Sequence, residues 1–115
     1  MGRILLSDLS DDDIMCYLIR AEIRKYTTKT ITNIDELLQT IKDVRADGFS
    51  VVDQELEFGL RSIAAPVLNS RRKIVAAINV GTHADRVDRI ELRSTILPRL
   101  RQATQSLSQC GVWAA

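Results

Sequence analysis

Apolar residues recur at helical spacing through the first half of the chain, and the rhythm changes after Gly48. Ile14, Met15, Leu18, Ile19 and Ile23 form one stripe, which predicts a helix over 11–23. Ser10 is placed to cap it, and Asp11, Asp12 and Asp13 suit the positive end of its dipole. Three acids in a row point in different directions on a helix, so they make a poor shared metal site. A threonine-rich stretch, 27–32, reads as a loop or short extended segment. Ile34, Leu37, Leu38, Ile41 and Val44 form a second stripe, predicting a helix over 34–46. Asn33 with Glu36 resembles a capping box, and Gly48 suits a left-handed stop.

Beyond Gly48 short β-branched runs take over, and strands are predicted over 49–54, 62–68 and 74–81. Residues 69–73 are polar and turn-like, so the last two strands form an antiparallel hairpin with Arg71, Arg72 and Lys73 at its tip. Pro66 lacks an N–H for the ladder and marks an edge or a bulge. Residues 55–61 read as a turn or short crossing segment, and 81–87 as a loop. A terminal helix is predicted over 89–108, with Ile90, Leu97, Leu100, Ala103, Thr104 and Leu107 near one face and a kink or split at Leu97, before Pro98. The tail from Cys110 shows no pattern. The whole is a mixed α+β fold, a three-stranded antiparallel sheet with packed helices. Three strands leave edges and faces to be covered, so the pattern suggests a fragment or a chain completed by a partner.

Composition narrows the function. The chain has 115 residues, 45% hydrophobic and 27% charged, which suits one globular domain or part of one. Sixteen basic residues against fifteen acidic ones give a net charge of +1, so a basic field able to hold nucleic acid by itself is absent. The chain alone is not expected to bind DNA specifically. Two distant cysteines and one histidine exclude the usual zinc spacing. Cys16, near Ile19 on the first stripe, is placed in the core. No apolar run is long enough for a membrane span, and a cytoplasmic setting is expected.

Catalytic signatures are missing: there is no GxSxG elbow, no P-loop and no GxGxxG, so an enzyme is not expected and no cofactor is implied. A different constellation remains. Ser62, Asn79, Thr82 and His83 are neutral polar groups near strand ends among Leu60, Ile63, Ala65, Ala77, Ile78 and Val80. An apolar pocket with a few hydrogen-bonding groups is what a small ligand requires. Side chains alternate along a strand, so Asn79 and Gly81 share one face, and Ser62 can join them. Arg61 either holds a ligand carboxylate or pairs with Asp53 or a nearby glutamate.

The stretch DQELEFGLRSIAAPVLNSRRKIVAAINVGTHADRV, from Asp53 on, resembles the effector-binding domain of the IclR family of bacterial transcription regulators. GRILL at 2–6 resembles the family's helix start, RADGFSVVD at 45–53 its strand entry, and Leu97 with Pro98 its terminal helix. The form NVGTHADRV is similar to the subgroup controlling catabolism of protocatechuate, 4-hydroxybenzoate and β-ketoadipate. The resemblance implies a GAF-like domain, here partial, in the C-terminal part of a regulator that acts as a dimer or tetramer. The winged helix-turn-helix, through which alone DNA would be bound, and the opening strands of the effector domain would then precede Met1, lost to a truncated gene or a downstream start. It implies effector contacts at Met1, Val52 next to Asp53, Leu60, Ser62, Asn79 and Gly81, with Arg61 or His83 free to hold a carboxylate. Relatives that bind small carboxylates often carry Asp, Cys and Ser where this chain has Val52, Ser62 and Asn79, which implies another organic acid, an aromatic one. The competing expectation is an oligomerisation or interaction module with no ligand of its own.

Overall fold

A computed structural model describes residues 1–110; the patternless tail from 111 on lies outside the described residues. Five helical residues, α1 (Gly2–Leu6), lead into α2 (Asp11–Arg20) and α3 (Ile34–Asp47). Ser10 Oγ accepts the Asp13 N–H, and Asn33 Oδ1 accepts that of Glu36, so both helices start at the expected caps. α3 ends at Gly48, whose φ of 76° is the left-handed turn that a side chain resists. α2 stops at Arg20, short of Ile23, and turns only Ile14 and Leu18 fully inward. Ile19 is 65% exposed, and Cys16 is exposed rather than in the core. One helix of three turns can bury a single narrow stripe, and Ile14 and Leu18, four residues apart, occupy it.

The sheet has the order β1-β2-β3, all antiparallel, from β1 (Ser50–Asp53), β2 (Leu60–Leu68) and β3 (Ile74–His83). β3 continues through Gly81, Thr82 and His83, because these residues pair with Ser62, Arg61 and Leu60; the loop expected from 81 starts only after His83. The ladder has an irregularity between Val67 and Leu68, one residue beyond Pro66. One sheet face carries Ile63 and Ala65 and packs on Leu92, Leu97 and Leu100. The other carries Ala64 and packs on Ile4 of α1 and Val44 of α3. A separate cluster, Ile14, Leu18, Leu37 and Ile41, joins α2 to α3.

The terminal helix is split. α4 (Arg89–Glu91), capped by Asp88, passes into a π-helical stretch at Leu92–Ile96 and then α5 (Leu97–Gln109), with Pro98 in its first turn. The π stretch inserts an extra residue and rotates what precedes it. Leu92 is therefore fully buried and Ile90 is 77% exposed, contrary to the single face expected across 90–107.

Candidate functional site

Pairing register decides which side chains can meet. Val52 lies opposite Ser62, Ser62 opposite Gly81, Ala64 opposite Asn79, and Leu60 opposite His83. Directly opposed residues share a face, so Val52, Leu60, Ser62, Asn79, Gly81 and His83 all stand on the side covered by α1. There a cavity of about 240 Å³ is lined by Met1, Val52, Leu56, Leu60, Ser62, Asn79 and Gly81. Its walls are mostly apolar, and no charged side chain lines it. The Ser62 hydroxyl and the Asn79 amide are its side-chain hydrogen-bonding groups. A Cβ at Gly81 would stand 3.7 Å from Leu60 Cδ1, so the glycine keeps that wall open.

The structure thus brings together six of the residues singled out in the sequence: Met1, Val52, Leu60, Ser62, Asn79 and Gly81. His83 shares their face at the end of β3, outside the lining. Asp53 and Arg61 face the opposite side, paired across β1 and β2. Arg61 Nε donates to Asp53 Oδ1 at 2.9 Å, and Arg61 Nη1 donates to the Val87 carbonyl at 2.8 Å. Of the two roles open to Arg61, it fills the brace, paired with Asp53. Burial alone would raise the Asp53 carboxyl; hydrogen bonds from Arg61 and Gln54, with the charges of Arg61 and Lys29, outweigh it and hold the pKa below the ordinary value.

Leu56 was not singled out from the sequence, where it sits in an acidic turn. Its 60% exposure at the cavity rim is the signal that an apolar residue in such a turn can carry. The turn is held from both sides. Arg3 of α1 makes a two-pronged pair with Glu55, at 2.5 and 2.8 Å. From the threonine loop, Thr27 Oγ1 donates to the Gln54 carbonyl at 2.6 Å and Thr30 Oγ1 to that of Glu55. Among the described residues no group of three His, Cys, Asp or Glu could hold a metal ion, and no helix is long and apolar enough to cross a membrane.

Comparison with known proteins places this geometry. Residues 1–109 match the family described as bacterial transcriptional regulator IclR C-terminal. The Pca regulon regulatory protein of Pseudomonas putida is 46% identical over 107 residues, 93% of this chain and 37% of that protein. The p-hydroxybenzoate hydroxylase transcriptional activator of Acinetobacter baylyi is 32% identical over 106 residues, 92% of this chain and 39% of that protein. Among solved structures, the inducer-binding domain of a PobR double mutant from Acinetobacter, in complex with 3-hydroxybenzoic acid, superposes with a TM-score of 0.90 at 30% identity, covering 94% of this chain and 62% of that one. The chain spans under half the length of these two curated relatives. Its sheet and helices are those of a GAF-like effector-binding domain. The chain therefore belongs to the IclR family of bacterial transcriptional regulators and lies within their C-terminal domain.

Proposed function

We propose that the cavity beneath α1 is an effector site, that it takes a small aromatic acid, and that the domain relays occupancy to a winged helix outside these 115 residues. The observation that carries this reading is the convergence of Ser62 and Asn79, from two strands, on one apolar cavity. Val52, Leu56 and Leu60 suit a ring, and the hydroxyl and amide suit a carboxylate or ring hydroxyl. Because no charged side chain lines the cavity, the neutral hydroxyl and amide are the side-chain groups that hold the acid, and Asp53 with Arg61 serves the fold. The relatives named for the Pca regulon and p-hydroxybenzoate hydroxylase, and the 3-hydroxybenzoic acid complex, support an aromatic ligand here. DNA contact in the complete regulator would fall to the winged helix.

The test is calorimetry on a complete regulator carrying this domain, titrated with protocatechuate, 4-hydroxybenzoate and β-ketoadipate. Asn79→Leu is expected to weaken binding of the best ligand by about 1–3 kcal/mol, the usual cost of leaving a buried polar partner unmatched. Unchanged affinity in a folded variant would move the site elsewhere.

A further inference from the structure

Among the residues lining the cavity, Leu56 has the fewest restraints of its own. The others sit in paired strands or at the start of α1, whereas Leu56 belongs to the 54–59 turn between β1 and β2. It is 60% exposed, and Phe58 is exposed as well. Neither makes a hydrogen bond among the described residues, and Glu57 between them accepts the Leu60 N–H at 3.2 Å. Two left-handed residues bracket this crown, Gln54 at φ 58° and Gly59 at φ 85°. The foot of the turn, by contrast, is fastened. Arg3 Nη1 and Nη2 donate to Glu55 Oε2 and Oε1 at 2.8 and 2.5 Å, and the Ile31 N–H donates to Oε1 at 3.2 Å. Thr27 and Thr30 hold the Gln54 and Glu55 carbonyls. The Arg3 and Glu55 side chains are 15% and 12% exposed, so solvent ions screen this pair little.

We infer that Glu55 is a positioning residue for the effector site and that Leu56 sets the size of the acid that fits. The inference rests on the effector reading of the cavity. Strand walls are locked by their ladder, so the turn is the wall that can swing aside for a ligand and return. Glu55 and Leu56 are consecutive, so a turn fastened at Glu55 keeps Leu56 within one peptide unit of a fixed point. Charge-assisted, two-pronged bonds from Arg3 bias the turn towards the rim of the cavity. Their strength sets how often the rim opens, and the bulk of Leu56 sets which ring lies beneath it. A pair that served stability alone would leave ligand exchange and ligand size preference untouched.

The test uses a complete regulator carrying this domain, with 4-hydroxybenzoate as one probe and a two-ring naphthoic acid as the other. In stopped-flow measurements, Glu55→Gln and Arg3→Met should each speed dissociation of 4-hydroxybenzoate roughly tenfold, and Arg3→Lys, which keeps the charge, should do so less. Amides 56–58 should gain protection from hydrogen exchange when 4-hydroxybenzoate binds, and lose that gain in Glu55→Gln. Leu56→Ala, at an exposed position that leaves the fold intact, should shift the affinity ratio towards the naphthoic acid roughly tenfold. Unchanged dissociation in a folded Glu55→Gln regulator overturns the inference, and so does a size preference unmoved by Leu56→Ala. In either case the effector reading stands if Asn79→Leu still weakens binding. An unaltered regulator that binds none of the acids sinks the effector reading, and the inference with it.

Discussion

The Arg61 guanidinium donates to Asp53 and Val87 on the face away from the cavity, with 12% of its side chain exposed and 21% of its partner's. Replacing it with methionine keeps the bulk but strips a half-buried carboxylate of its guanidinium partner, leaving it the Gln54 amide and the more distant Arg89. A stability loss of about 1–3 kcal/mol is expected in denaturant titration. Since the Asp53 pKa is lower in the fold than in the open chain, its contribution is full above the ordinary aspartate pKa of about 3.9 and is lost as pH falls through the depressed native value. The Arg61→Met variant should therefore lose part of the acid-induced fall in stability, and an identical pH profile would refute the brace. Sequence alone left Arg61 between brace and ligand because both roles need the same donors. Only the register, Asp53 opposite Arg61, separates them.

At the scale of elements, the π-helical stretch before α5 has the largest mutational signature. Leu92→Ala removes a fully buried side chain and should cost about 2–5 kcal/mol, while Ile90→Ala, on an exposed residue, should stay within about 0.5 kcal/mol. A larger cost for Ile90→Ala than for Leu92→Ala, read from thermal or urea unfolding, would mean an unbroken α-helix with the phase first expected. Caps and strands were legible because their signals are local: Ser10, Asn33 and Gly48 each act on neighbouring backbone. The inserted residue at 92–96 was not, since a 3.6-residue period assumes a regular helix. Cys16 and Ile19 misled for a related reason: two turns of apolar residues outnumber the positions that α3 can cover. Within the cavity, strand alternation put Asn79 and Gly81 on one face, whereas Leu56 required the path of the 54–59 turn.

Across the molecule, the sheet is packed on both faces, and α2 with α3 is packed to one side. The buried residues joining α2 to α3 form a cluster distinct from either sheet cluster. α3 bridges the two regions through Val44, whereas α2 is held by its apolar cluster with α3 and, at its start, by Arg45, which reaches Asp11 and the Ser7 and Leu9 carbonyls just before it. A helix held by a small cluster and a few partly exposed hydrogen bonds opens at a lower free energy than central strands. Native-state hydrogen exchange should find the α2 amides exchanging through a sub-global opening with a shallow denaturant slope, and the β2 amides only through global unfolding. Merging of the two isotherms would show a single cooperative unit. The outcome also bears on what evolution can alter independently. A loosely coupled α2 can accumulate changes on its outer surface at little cost to the sheet, so the face with Tyr17 and Cys16 is free to diverge while the Ile63–Leu100 core stays constrained.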